Sequence, residues 1–160
     1  MPRISVGAAP ADAQRLVDAW VEYLSRWTWD WFVTLTFREA KHPEAAEKVF
    51  RVWISKMNRD MYGPRWSKHR RGVRWVRAQE LQRRGAIHFH ALLGGVSELR
   101  RLSWMDRWYE LADGYARIEP PRDATAVRAY CAKYIVKGGE IDIDGELGPP
   151  PPSLFPLDGW

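Results

Sequence analysis

The strongest constraint on the fold is the stretch from Val73 to Leu93, two β-forming runs separated by a tight turn. Ala86-Ile87-His88-Phe89-His90-Ala91-Leu92-Leu93 is an apolar run that ends at Gly94-Gly95 and is interrupted only by its two histidines. Side chains alternate across a strand, so both imidazoles face one side while Ile87, Phe89, Ala91 and Leu93 face the other. Val73 to Glu80, rich in β-branched and aromatic residues, reads as the partner strand, and Arg83-Arg84-Gly85 as the turn between them. A hairpin symmetric about Arg84 sets Glu80 opposite His88 and diagonal to His90. Two imidazoles and one carboxylate then converge on one point with coordination positions left open. That is a ligand set for a metal engaged in chemistry. A His-x-His pair alone is as readily a solvated pair; the aligned glutamate favours ligation.

The remaining periodicities build a domain around this hairpin. Leu16, Trp20, Tyr23, Leu24 and Trp27 recur at helical spacing after Asp12, a residue suited to an N-cap. Trp31 to Phe37 is dense in β-formers and predicts a strand with Trp31, Val33, Leu35 and Phe37 on one face. Phe32, Thr34 and Thr36 take the other, where the small threonines leave room for a ligand or merely satisfy strand propensity. Pro43 opens a second helix whose buried stripe is Ala46, Val49, Phe50, Trp53, Ile54, Met57 and Met61. His42 and His69 read as surface histidines. Ser97 is the expected cap of a third helix carrying Leu102, Met105, Trp108, Tyr109 and Ala112, ended by Gly114. Tyr115 to Glu119 predicts a short strand stopped by Pro120-Pro121, and Asp123 caps a last helix running to about Lys137. This order predicts an α+β fold, an antiparallel sheet of four or five strands with helices packed on it, over residues 1–138. Residues 139–160, with Glu140, Asp142, Asp144, Glu146 and Asp158 and no Lys or Arg, read as an acidic, proline-rich tail.

Length and charge narrow the function. At 160 residues the chain has the size of one domain with its own core. Its single cysteine, Cys131, excludes an internal disulfide and fits a reducing compartment. The start lacks the apolar region of a signal peptide and no run reaches membrane-spanning length, so a cytoplasmic protein with no membrane partner is expected. The formal net charge is +5. Arg65, Lys68, Arg70, Arg71, Arg74 and Arg77 fall in a stretch without acids, Arg83 and Arg84 extend it onto the turn, and Trp66 and Trp75 are interleaved. Cations with aromatic rings suit phosphates and stacked bases, although a charged loop alone is commonly just solvated.

The last predicted helix carries Tyr130-Cys-Ala-Lys133-Tyr134-Ile-Val-Lys137. Residues four apart share a helix face, so Tyr130 and Tyr134 lie together with Lys133 and Lys137 on the same side. A phenol is a poor nucleophile at its ordinary pKa of about 10. A nearby ammonium and a metal that neutralises the phosphate under attack both favour phenolate-like attack.

Three segments, in order, resemble the motifs of HUH endonucleases, the rolling-circle replication initiators. Trp31 to Phe37 resembles their first motif and Ile87-His-Phe-His-Ala91 the second, with Glu80 where a third metal ligand usually falls. Tyr130 to Lys137 resembles the third motif in its two-tyrosine form, and Arg117-Ile-Glu-Pro120 looks like phage- and plasmid-type members. The resemblance spans about residues 30–138. It implies metal-dependent nicking and joining of single-stranded DNA at a replication origin, in a hairpin or as an open strand, through a 5′-phosphotyrosine. Mg²⁺ or Mn²⁺ would be held by Glu80, His88 and His90; Tyr134 would attack first, Tyr130 would be the second nucleophile, and Lys137 and Lys133 would assist. No Gly-x-x-x-x-Gly-Lys-Ser/Thr loop occurs, so unwinding would fall to a separate helicase or be unnecessary at a single-stranded origin. A transposase or relaxase of the same superfamily would share this chemistry, a DNA-binding domain without catalysis would use only the basic surface, and an iron oxygenase would leave the tyrosines unexplained.

Overall fold

The computed structural model describes residues 10–69, 72–123, 125–135 and 140–143. Helix α1 (Pro10–Leu24) leads into strand β1 (Trp31–Thr36), then helix α2 (Pro43–Tyr62) and a single 3₁₀ turn (Trp66–His69). The hairpin follows as β2 (Arg74–Leu81) and β3 (Ile87–Gly94), then helix α3 (Arg101–Ala112), β4 (Ala116–Glu119), the short helix α4 (Ala126–Tyr130) and β5 (Glu140–Ile143). The strands form one antiparallel sheet in the order β4-β1-β3-β2-β5.

Alternation on these strands creates two cores. Trp31, Val33 and Leu35 of β1 join Phe89, Ala91 and Leu93 of β3 beneath α2 and α3, where Phe50, Trp53, Met57 and Trp108 are buried. Two indole N–H groups in this layer donate to backbone: Trp53 to Trp104 O at 3.0 Å and Trp108 to Thr36 O at 3.0 Å. Val76, Ala78 and Leu92 face the other way and meet Val17, Leu24 and Trp27 of the α1 segment with Tyr130 and Cys131. Burial pushes the Cys131 thiol up to about 11, so it packs as a small apolar group.

The hairpin has the predicted register: Glu80 pairs with His88, Ala78 with His90 and Leu81 with Ile87. Gly85, at φ 78°, supplies the left-handed residue of the turn, and Gln82 N–H closes it onto Ala86 O at 2.8 Å. The α+β architecture is as expected, with five strands. Several local expectations are corrected. Helix α3 begins at Arg101 with no side-chain cap, so Ser97 does not cap it, and its buried stripe is Trp104, Trp108 and Ala112, leaving Leu102 72% exposed. Asp113, not Gly114, takes the left-handed C-cap; Gly114 is required because a Cβ there would run into the Thr36 carbonyl. Asp123 sits before the last helix and accepts from Thr125 N–H at 2.8 Å, closing a turn ahead of it. The largest difference is β5, which adds Glu140–Ile143 to the free edge of β2 inside the stretch read as tail. Glu140-Ile-Asp-Ile143 alternates acid with β-branched Ile, a strand pattern that the acidic, proline-rich composition of the surrounding stretch outweighed.

Candidate active site

The face of the sheet turned towards α1 and α4 carries polar residues in two cross-strand rows. Register places Arg117, Thr34, His90 and Ala78 side by side on β4, β1, β3 and β2, and Thr36, His88 and Glu80 in the next row. The predicted ligand residues are therefore neighbours, and their spacing follows from a hairpin centred on Arg84. His90 Nε2 lies 2.8 Å from Glu80 Oε2, the diagonal contact. The other ring nitrogen of His90 meets Thr34 Oγ1 at 3.3 Å, and His88 Nδ1 meets the Gln82 amide at 3.2 Å. Sequence reasoning did not single out Gln82. Its position just past β2, six residues before His88, was the available signal.

Burial lowers the pKa of both histidines. Loss of solvent is the main cause at each, opposed at His88 by the Glu80 charge and at His90 by its hydrogen bond to Glu80. Neutral imidazoles whose Nδ1 atoms are occupied direct Nε2 towards the site, the arrangement that suits ligation. Among the described residues, however, no three His, Cys, Asp or Glu side chains stand gathered as a ready ligand cluster. The His88 and His90 ring centroids are 6.4 Å apart, and Glu80 is engaged by His90.

The tyrosine helix crosses the same face. Helix α4 ends at Tyr130 and continues as a π-helical turn over Cys131–Ile135, where a continuous α-helix was expected. The two tyrosine rings remain neighbours, with centroids 5.4 Å apart, but differ in burial. Tyr134 is half-buried and stacks on His90, with centroids 3.9 Å apart and rings 14° from parallel. Lys133 Nζ lies 5.3 Å from the Tyr134 ring centroid, and the Lys133 side chain is exposed. Tyr130, by contrast, is 1% exposed, and its hydroxyl donates to His90 O at 2.7 Å. Desolvation drives its pKa far above the ordinary phenol value. Tyr130, the residue expected as a second nucleophile, is thus buried in the core with its hydroxyl engaged. The sequence could not tell these tyrosines apart because regular helical spacing gives both the same face.

The basic residues are dispersed. Arg65 and Lys68 are exposed around the 3₁₀ turn with Trp66 half-buried, and Arg83 and Arg84 are exposed at the hairpin tip. Arg77 is a correction: it is 5% exposed on the opposite face, stacked on Phe89, Phe50 and Trp75 at 4.5, 4.9 and 5.5 Å, with Asp142 of β5 at 3.5 Å. Odd-numbered β2 residues point beneath α2, so Arg77 lies on the face away from the histidines. Arg74 is also occupied, donating to Thr28 O at 3.0 Å across Gly94. Arg117, exposed beside Thr34 and held by Glu119 at 2.7 Å, is a cation on the site face that the charge run did not include. Arg70, Arg71 and Lys137 lie outside the described residues.

Residues 30–139 match the model of the replication-associated protein ORF2/G2P family, more than half of the chain. The chain belongs to that family. The matched segment of this ORF2/G2P family member runs from β1 through the histidine hairpin to the tyrosine helix, so it contains every element of the site. No curated protein and no solved structure matches the chain significantly. No helix among the described residues is long and apolar enough to cross a membrane.

Proposed function

We propose that the protein is an HUH-type endonuclease that nicks and rejoins single-stranded DNA to initiate rolling-circle replication, with Tyr134 as the nucleophile. The observation that carries this reading is the stacking of Tyr134 on His90, itself hydrogen-bonded to Glu80. The phenol of a distant helix meets two imidazoles and a carboxylate of one hairpin on the same face of the sheet. A fold needs no such convergence for packing alone.

Glu80, His88 and His90 would hold a divalent cation, Mg²⁺ or Mn²⁺. The carboxylate and open positions for phosphate oxygens suit such an ion, two imidazoles would also accept zinc, and Thr34 and Gln82 hold the far ring nitrogens. The bound ion would supply charge neutralisation at the scissile phosphate. The protein supplies the rest. Tyr134 Oη forms a bond to phosphorus and gives up its proton; the bond to the 3′ oxygen breaks, and that oxygen leaves as a 3′-hydroxyl after taking up a proton. Lys133 sets a cation beside the Tyr134 ring, and Arg117 can steer the phosphate backbone over Thr34. Return of the 3′-hydroxyl to the phosphotyrosine rejoins the strand. A separate helicase would unwind duplex regions of the origin.

The test is covalent capture of mixed-sequence single-stranded DNA with Mn²⁺ on denaturing gels. Wild type should give a metal-dependent band that is absent from Tyr134→Phe and His90→Ala, while His90→Ala still binds DNA. A band surviving in Tyr134→Phe would refute the assignment. DNA binding without a band in wild type, under any metal, would make the protein a binding module.

A further inference from the structure

A cavity of about 310 Å³ opens beside Tyr134, away from the histidines, between β1, the Glu119–Asp123 turn and the tyrosine helix. Its walls are the aromatic rings of Phe32 and Tyr134 and the stiff Pro120-Pro121 pair, and Ala126 and Ala129 form the helix side. Those two alanines are three apart and share a helix face, so the space exists because neither position carries a large side chain. Arg122 and Lys133, both exposed, place cations at the lining beside the carboxylates of Glu119 and Asp123. Phe32 and Tyr134 are near parallel, at 29° with centroids 5.9 Å apart.

From these features we infer that the cavity is a pocket for one unpaired nucleobase of the DNA strand, next to the phosphate that Tyr134 attacks. This rests on the nuclease reading and adds a specificity-determining site to it. The volume lies at the small end of ligand pockets, room for a single flat heterocycle and too little for a base pair. Aromatic walls suit the π-face of a base, and the cations suit the phosphate on which it hangs. Seating a base here fixes the strand's register relative to Tyr134 Oη, which sets where the strand is cut. Ala129 is the residue that keeps the pocket open.

The experiment is saturation-transfer NMR with the four deoxynucleoside 5′-monophosphates in EDTA, using the full chain and its Ala129→Leu and Ala129→Ser variants. Leucine fills the cavity and serine preserves it, and both are tolerated on a helix surface. Wild type and Ala129→Ser should transfer saturation to the base protons of at least one nucleotide, and Ala129→Leu should weaken that nucleotide's binding at least tenfold. No transfer to base protons in wild type, or equal binding by Ala129→Leu, would overturn the pocket. The assay involves neither metal nor cleavage, so its failure is separable from that of the nuclease reading. A protein that binds the nucleotides through this pocket yet forms no covalent adduct would lose only the latter.

Discussion

Replacing Tyr130 by phenylalanine separates the two tyrosines. The ring stays in its site against Phe32, at 5.7 Å centroid to centroid, and only the hydroxyl that donates to His90 O at 2.7 Å is removed. A buried hydrogen bond of this kind is worth about 1 kcal/mol, and stranding part of its acceptor raises the loss to roughly 1–2 kcal/mol. For a domain of this size that lowers the melting temperature by about 2–8 °C. Thermal unfolding by circular dichroism reads the shift, and covalent capture of DNA at a temperature where both proteins are folded reads the chemistry. The expected result is a less stable enzyme that still forms its adduct. Unchanged stability with loss of the adduct would refute the anchoring role and return Tyr130 to the list of nucleophiles. Tyr130→Ala should cost more, about 3–5 kcal/mol, because the ring is lost as well.

Further expectations follow from other residues. Gly114→Ala drives a Cβ into the Thr36 carbonyl and should destabilise by about 1–3 kcal/mol, with chemical denaturation as the measure and an unchanged midpoint as the contrary result. Arg77→Met should leave the salt dependence of DNA binding unaltered, whereas neutralising Arg83 and Arg84 should make the slope shallower by about 1–2; the reverse pattern would relocate the DNA path. Asp142→Ala removes a carboxylate beside the buried Arg77 guanidinium and should lower stability by roughly 1 kcal/mol, read by urea unfolding. Isothermal titration with Mn²⁺ should show binding to wild type that Glu80→Gln weakens at least tenfold; equal binding would move the metal elsewhere.

What the sequence made legible was what strand alternation and hairpin symmetry control. Glu80 against His88 required only a period of two and a turn centred on Arg84, and both sheet faces followed from the Trp31 and Ile87 runs. What it hid was tertiary. Arg77 looked like one more cation in a basic run, because its burial depends on which side α2 packs. The π-helical turn after Tyr130 has no composition signature, and the burial of Tyr130 beside half-buried Tyr134 shows only in the packed fold. Strand β5 was legible in the alternation of Glu140-Ile-Asp-Ile143, although not its pairing with β2, and Thr34 and Gln82 became partners of the histidines only once the strands were laid side by side.

The most direct measurement of the central claim is mass spectrometry of the trapped protein–DNA adduct after nuclease and trypsin digestion. Cleavage after Arg128, Lys133 and Lys137 puts Tyr130 and Tyr134 on different peptides, Ala129–Lys133 and Tyr134–Lys137. The account predicts a nucleotide mass on Tyr134, with fragment spectra placing it there even where the modification blocks cleavage at Lys133. A nucleotide on Tyr130, or DNA cut with neither tyrosine modified, would contradict it.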